Sequence, residues 1–376
     1  VAEAALHTSG GAPVVRRLAL GDFRNYREAR LEADARFVVL TGPNGAGKTN
    51  LLEALSLLAP GRGLRRARPR EMTRLGAERW TVRARLDTAY GTIDIGTGLG
   101  EGDRRAMHID GAARRGREGV AATVWLTPQM DRLFLDGAGA RRRFLDRLVL
   151  AVDSAHAGRV QAYETAMRQR LALLRAGTAD GDWLAALERS MAERGIAVAA
   201  SRRDLVERLR AALASAGGPF PKARVALSGE VDAWLEEGPA LKAEDRLVGA
   251  LAEGRSRDAE SGRTGAGPHR SDLAVADAER GMPAADCSTG EQKALLIALV
   301  LASARLAAQP PLLLLDDVVA YLDEDRRLAL FDEIGRLGCQ AWLTGADPGV
   351  FAPLAGRALH VGIEDAVLTP LPPERP

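Results

Sequence analysis

Gly42-Pro43-Asn44-Gly45-Ala46-Gly47-Lys48-Thr49 lies between an apolar run, Arg36 to Thr41, and a stretch in which Leu51, Leu52, Leu55 and Leu58 recur at helical spacing. Pro60-Gly61 ends that helical pattern. The octapeptide fits G-x-x-x-x-G-K-[ST] with a strand before it and a helix after it, the context that predicts a phosphate-binding loop. Its glycines let successive backbone N–H groups turn toward one anion, and the helix start adds the positive end of its dipole. Lys48 is placed to reach the β- and γ-phosphates of ATP, and the Thr49 hydroxyl to ligate Mg²⁺. With Asn50, these residues form the expected nucleotide-binding set.

Bulk properties bound the rest. A chain of 376 residues with 46% apolar content can fill two domains, or one large α/β domain with an insertion. Two cysteines, Cys287 and Cys339, cannot build a disulfide framework, and the five histidines show no zinc-ligand spacing, so a reducing, cytoplasmic setting is expected. No apolar run reaches the length of a membrane span: Ala294 to Ala304 stops at Arg305. Residues 1 to 15 carry no basic stretch followed by an apolar one. A net charge of +2 does not by itself indicate nucleic acid. Only four of the 52 basic residues are lysines, and one of them, Lys48, falls where a compact ammonium suits the chemistry better than a guanidinium fork.

Along the chain, Val14 to Leu20, Trp80 to Leu86, Gly91 to Gly96 and Ala121 to Leu126 read as strands. Helical texture runs from about Arg141 to Ala216 with a break at Gly177, which predicts an αα-hairpin that could stand off the main body. Residues 250 to 267, rich in Gly, Ser, Arg and Asp, read as a linker. Beyond it, Lys293 to Ala308 reads as an apolar helix, and Leu312 to Leu315, Ala341 to Thr344 and Ala358 to Val361 as strands, with a loose tail from Pro370. The expected fold class is α/β: a phosphate-loop head from residues 1–129 and 263–376, with a mostly helical lobe at 130–262.

A phosphate loop alone does not choose among ATPase and kinase classes, so the partner acids decide. Leu312-Leu313-Leu314-Leu315-Asp316-Asp317 is an apolar strand ending in two carboxylates: Asp316 is placed to hold Mg²⁺, and Asp317 to orient or deprotonate an attacking water. Upstream, Ser288-Thr289-Gly290-Glu291-Gln292 opens a helix. Ser288 with Glu291 is an ordinary capping box. Its place between phosphate loop and acid-tipped strand is also the motif order of ABC-type ATPases, in which the serine and glycine (here Ser288 and Gly290) contact the γ-phosphate held by a second subunit. Both roles can hold at one helix N-terminus.

With these residues in view, the chain resembles the RecF family of bacterial recombination-repair proteins, within the ABC/SMC ATPases. Phe23-Arg24-Asn25-Tyr26, Gly47 to Ala54 and Gly61-Arg62 with Arg65 carry the N-terminal likeness. Thr127-Pro128-Gln129, Arg141-Arg142-Arg143-Phe144-Leu145-Asp146 and Gly267-Pro268-His269-Arg270-Ser271-Asp272-Leu273 extend it. The resemblance covers about residues 14 to 347. It implies that Gln129 senses Mg²⁺, that Arg24 and Asn25 lie near the phosphates, and that Asp323 belongs to the turn after the acids. That turn departs from the family pattern by reading Ala320-Tyr321-Leu322-Asp323. No histidine follows Leu343-Thr344-Gly345-Ala346, and Asp317 is shorter than the glutamate of faster relatives, so slow hydrolysis is expected. The resemblance further implies an ATP-dependent homodimer on DNA, mediator proteins of the RecR/RecO type, support of RecA loading in gap repair and the SOS response, and no membrane partner.

Arg62, Arg65, Arg66, Arg68 and Arg70 form the candidate DNA-binding set, suited to phosphate contact without base readout, with Arg104, Arg105, Arg114, Arg115 and Arg117 as a second cluster. A solvated arginine-rich surface reflecting a GC-rich genome is the other reading of both. Aromatic content of 4% argues against a base-stacking platform. His269 is read as a structural turn residue. A transporter-type ATPase subunit and a P-loop small-molecule kinase are the alternatives, and neither accounts for residues 267 to 273.

Overall fold

The computed structural model describes residues 12–114, 121–177 and 181–372. The chain forms two compact units, Val1–Met130 with Ala307–Pro376, and Asp131–Leu306.

The first unit opens with β1 (Val14–Phe23), β2 (Tyr26–Glu32) and β3 (Phe37–Thr41), followed by α1 (Lys48–Ser56). Next come β4 (Thr81–Thr88), β5 (Gly91–Leu99), β6 (Arg105–Ile109), β7 (Ala112–Arg114) and β8 (Thr123–Leu126). The second unit holds α2 (Ala138–Val152), α3 (His156–Ala176), α4 (Gly181–Ala214), β9 (Ala223–Ser228), α5 (Glu230–Glu237), α6 (Ala240–Glu253), α7 (Arg255–Ser261), β10 (Asp272–Asp277) and α8 (Thr289–Leu306). The chain then returns to the first unit with β11 (Leu312–Leu315), α9 (Glu324–Leu337), β12 (Ala341–Gly345), β13 (Ala358–Glu364) and β14 (Val367–Pro370).

Two six-stranded sheets build the first unit. One is antiparallel, in the order β2-β1-β4-β5-β6-β7, and alternates inward apolar with outward polar side chains, as in β4, where Val82, Ala84 and Leu86 are buried. The other runs β14-β13-β3-β12-β11-β8, with β13, β3, β12, β11 and β8 mutually parallel. Every residue of β3, β8, β11 and β12 is buried, the continuous apolar run demanded of a parallel strand covered on both faces. One apolar core joins both sheets to Leu51, Leu52 and Leu55 of α1, and Phe23 meets Trp80 edge to face at 5.4 Å. Leu315 pairs with Leu343 and Leu126, and Gly345 with Thr41, so the segments leaving β3, β8, β11 and β12 share one edge of the sheet. In α/β sheets, this carboxyl edge is where ligands are held.

The second unit corrects three expectations. Residues 250 to 267 are largely helical, spanning the end of α6 and all of α7. The cause is a buried ion network that composition conceals: Arg170, fully buried, bonds Glu188 at 3.0 Å, Asp258 of α7 at 2.6 Å and the Leu251 carbonyl at 2.6 Å. Removing one member of such a network strands the others in low dielectric at a cost of about 3–5 kcal/mol. Secondly, α4 does not project: thirteen of its residues, from Leu184 to Leu213, are buried, and it packs on α3, α6, α8 and β9. Thirdly, the chain was expected to rejoin the head at residue 263, yet it stays in the second unit to Leu306. There β10 pairs along its whole length with β9, and Arg208 holds the Leu306 carbonyl at 2.8 Å. At the far end, Leu371 N–H donates to the His360 carbonyl at 2.8 Å, so the tail is tied down at its start, while residues 373–376 lie outside the described residues.

His269 has the structural role read from the sequence. Its Nε2 faces the Thr264 carbonyl at 2.9 Å and must donate, so Nδ1 accepts from the Tyr163 hydroxyl at 2.7 Å. Burial lowers its pKa, partly opposed by the Thr264 bond. The unfolded chain therefore takes up this proton first, and the stability that neutral His269 provides is complete above about pH 6.5 and lost as pH falls below it. We expect urea midpoints of the wild type to drop between pH 7 and pH 5, and His269→Gln to show a shallower pH dependence over that window.

Candidate nucleotide site

The phosphate loop is shaped by glycines where no other residue fits. Gly42 has φ 146° and Gly47 φ 118°, both in the region that side chains disfavour. A Cβ on Gly42 would lie 2.0 Å from the Ile363 carbonyl oxygen, and one on Gly47 would lie 2.5 Å from the Tyr26 hydroxyl. The loop is therefore pressed against β13 on one side and the start of β2 on the other. Pro43, Asn44 and Gly45 are exposed at its mouth, whereas Ala46, Gly47 and Lys48 are buried. The Lys48 ammonium donates to the Gly42 and Pro43 carbonyls at 2.7 and 3.0 Å, leaving its third N–H donor for a phosphate oxygen.

The two acids stand at the same sheet edge. Thr49 Oγ1 lies 2.9 Å from both Asp316 oxygens, joining the phosphate loop directly to the acid-tipped strand. Thr344 Oγ1 donates to Asp316 Oδ1 at 2.8 Å and accepts from the Asp317 N–H at 2.9 Å. Burial raises the Asp316 pKa above the ordinary carboxylate value, Asp317 pushes the same way, and Thr344, Thr49 and Arg65 oppose it. A desolvated carboxylate beside a threonine hydroxyl and a second acid is short of positive charge, which is the donor set a Mg²⁺ ion satisfies. Gln129, in the short 3-10 helix Pro128–Arg132 after β8, is exposed.

A network the sequence reading did not foresee braces the loop from beneath. Glu53 of α1, 1% exposed, receives Arg24 through two bonds of 2.8 and 2.6 Å and Arg65 at 2.7 Å. Arg65 also reaches Asn50 at 2.6 Å, Asn50 donates to Asn25 at 2.8 Å, and Asn25 donates to the Ala46 carbonyl of the loop at 3.1 Å. Arg24 and Asn25 are thus beside the phosphate loop, and Arg65, expected in the DNA-binding set, bonds Glu53 and Asn50 in the same assembly. Helical spacing gave the one available hint: Asn50 and Glu53 are one turn apart on α1.

The other arginines separate in the same way. Arg62, Arg66, Arg68 and Arg70 are exposed; Arg68 lies 4.0 Å from Glu71, and Arg70 bonds Asp103 at 3.1 Å. Of the second cluster, Arg105 is used internally, donating to the Leu57 and Gly61 carbonyls beyond α1 at 2.7 and 2.9 Å, a C-terminal cap made by a side chain. Arg104 and Arg114 are exposed, and Arg115 and Arg117 lie outside the described residues. Arg141 forms a paired bond with Asp272, both at 2.8 Å, so it holds α2 to β10.

In the second unit, Ser288, Thr289 and Gly290 are exposed at the start of α8. The capping box is formed: Glu291 accepts from Ser288 N–H at 2.9 Å and from Ser288 Oγ at 2.8 Å. A Cβ on Gly290 would meet nothing within 4 Å, so the helix tip is open to approach. Asp323 is the N-cap of α9, accepting from Arg326 N–H at 2.8 Å. Among the described residues no group of three or more His, Cys, Asp and Glu side chains could hold a metal ion by itself.

Comparison with known proteins places this arrangement. The RecF/RecN/SMC N terminal domain family matches residues 14–353. The DNA replication and repair protein RecF of Mesorhizobium japonicum is 48% identical over 370 residues, 95% of this chain and 97% of that protein. RecF of Brucella suis is 48% identical over 94% of this chain and 96% of its own length. Among solved structures, the recombination mediator protein RecF-ATPrS of the RecFOR pathway superposes with a TM-score of 0.85 at 22% identity, covering 97% of this chain and all of that one. The Smc head domain of Pyrococcus furiosus gives 0.54 at 16%, covering 96% of each chain. These likenesses show an ABC-type ATPase head fold.

The Glu53 assembly makes a distinct prediction. Glu53→Gln removes the charge that two guanidinium groups share; because those groups are partly exposed, the loss of stability is about 2 kcal/mol, below the range for a wholly buried pair. Urea unfolding is expected to register that loss, together with weaker ATP binding by titration as the Asn50–Asn25 bridge to Ala46 loosens.

Proposed function

The chain belongs to the RecF/RecN/SMC N-terminal domain family, and its likeness to RecF proteins runs over nearly its full length; on that premise we propose that it is an ATP-binding protein of DNA replication and repair, acting as an ATP-gated dimer on DNA. The observation that carries the reading is the contact of Thr49 with Asp316, which brings the phosphate loop and the metal-holding acid into one site.

In this reading Gly42 to Thr49 wrap the phosphates, Lys48 bonds the β- and γ-phosphate oxygens, and Arg24, Asn25 and Asn50 brace the loop. Thr49, Asp316 and Gln129 would hold Mg²⁺, whose charge neutralises the phosphate oxygens. Asp317 orients the water that attacks, and its short side chain accounts for weak hydrolysis, suited to a switch. Ser288 and Gly290 of a second copy close the site against the γ-phosphate, with Asp323 nearby in the turn after the acids. Exposed Ser288 and the open tip at Gly290 support this, since a capping serine hidden inside its own protomer could meet no neighbour. Arg62, Arg66, Arg68 and Arg70 supply the phosphate contacts to DNA at gaps. Mediators of the RecR/RecO type, support of RecA loading, the SOS response and a cytoplasmic location complete the proposal. No helix among the described residues is long and apolar enough to cross a membrane.

Sizing by light scattering with ATP, with ADP and without nucleotide tests the switch. The wild type is expected to dimerise only with ATP, and Lys48→Arg and Ser288→Arg to stay monomeric; a wild-type monomer in saturating ATP would falsify the gated dimer. In salt titrations of DNA binding, Arg62→Ala should lower the slope of log K against log salt by about 0.9, whereas Arg65→Ala should leave the slope unchanged.

A further inference from the structure

Thr344 is the last residue but one of β12, the strand lying between the phosphate-loop strand β3 and the acid-tipped strand β11. Its side chain is fully buried, and a buried hydroxyl requires partners. A threonine in a strand commonly finds one in a neighbouring carbonyl. This one spans two consecutive acids instead: Oγ1 donates to the Asp316 carboxylate at 2.8 Å and accepts the backbone N–H of Asp317 at 2.9 Å.

The second bond is made at an unusual backbone position. Asp317 has φ 51°, in the left-handed region that residues with a Cβ seldom occupy. That conformation turns the chain sharply after β11, and so sets the direction of the Asp317 carboxylate relative to that of Asp316. A strained conformation persists only where its surroundings hold it, and the bond from Asp317 N–H to Thr344 is the polar restraint at this point. The first bond, with the two from Thr49, fixes the other carboxylate from the opposite side. One hydroxyl thus sets both acids, one through its side chain and one through its backbone.

We propose that Thr344 is a positioning residue for ATP hydrolysis, holding Asp316 and Asp317 in register without itself contributing to nucleotide binding. The inference rests on the reading of Asp316 as the metal-holding acid and Asp317 as the acid that orients water. It assigns to the end of β12 a role separate from that of the phosphate loop, which binds ATP through different atoms.

The test compares Thr344→Val, which keeps the shape and deletes the hydroxyl, with Thr344→Ser, which keeps the hydroxyl. Thr344→Ala serves as a second hydroxyl deletion should valine not fold, and Asp317→Asn tests the underlying assignment. Steady-state ATP hydrolysis is measured, together with the Mg²⁺ concentration giving half of the thermal stabilisation produced by a non-hydrolysable ATP analogue. Loss of the hydroxyl is expected to lower kcat about 10–100-fold and raise the half-saturating Mg²⁺ concentration about tenfold, the range for groups that orient a metal ligand. KM for ATP should move less than about threefold, and serine should restore both readouts to within about threefold of wild type. Wild-type turnover and Mg²⁺ response in Thr344→Val, serine as impaired as valine, or nucleotide affinity falling in step with kcat would each overturn the proposal. If Asp317→Asn retained full turnover, the reading of the acid pair would fail and take this inference with it. An inactive Asp317→Asn beside a fully active Thr344→Val would remove the inference alone.

Discussion

The site depends on one buried carboxylate. Asp316 follows an entirely apolar strand, where burial disfavours its charge, and its carboxylate accepts from the hydroxyls of Thr49 and Thr344. Under the proposed function that carboxylate would hold the Mg²⁺ of the nucleotide, and the fold fixes its position. Parallel strands β3, β12 and β11 put the phosphate loop, Thr344 and the two acids on consecutive positions of one edge, so the spacing between loop and acid is set by the hydrogen-bond ladder. A hydrophobic core under both sheets and around α1 makes that ladder rigid. The chemistry is thus an outcome of sheet register, and loop conformation adds to it only locally.

A second buried carboxylate, Glu53, answers the opposite need. Where hydroxyls meet the Asp316 carboxylate, two guanidinium groups meet Glu53, and through them it ties the β1–β2 turn, α1 and the arginine-rich segment after α1 to the phosphate loop. This is why the arginine run does not act as a unit. Arg65 is turned inward by a carboxylate one helical turn beyond Asn50, while Arg62, Arg66, Arg68 and Arg70 remain at the surface. Charge clusters read from sequence give numbers of guanidinium groups; the acids they meet decide how many remain for a polyanion.

What was legible in the sequence follows the same division. The phosphate loop, α1, β3, β11, β12 and α8 could be read because each carries a strong local pattern: glycines at fixed positions, a continuous apolar run or a helical repeat. The capping box at Ser288 and the backbone bond of His269 to Thr264 were legible because they join residues close in sequence; the Tyr163 partner of His269 was not. Glu53, Thr344 and the helix α7 were not. Each acquires its meaning from a partner far along the chain: Glu53 from Arg24, Thr344 from Asp316, and Asp258 in α7 from Arg170, 88 residues away. A serine- and glycine-rich stretch looks like a linker until a buried arginine requires its aspartate.

The capping box at α8 carries a further consequence for how a γ-phosphate could meet Ser288. The Ser288 bonds, followed by Arg280, lower the pKa of the Glu291 carboxyl to about 2, and as a carboxylate it occupies the hydroxyl proton of Ser288. An arriving phosphate would face a carboxylate on the very residue it is to bond. The conflict resolves if the hydroxyl rotates, giving its proton to the phosphate while the Ser288 N–H stays with Glu291, whose charge remains neutralised by Arg280. The cap then costs little to leave and nothing need unfold, because only one torsion changes. If a second copy closes the site as proposed, Arg280 would keep the helix start from repelling the anion, and the carboxylate that now orders Ser288 would release only its hydroxyl.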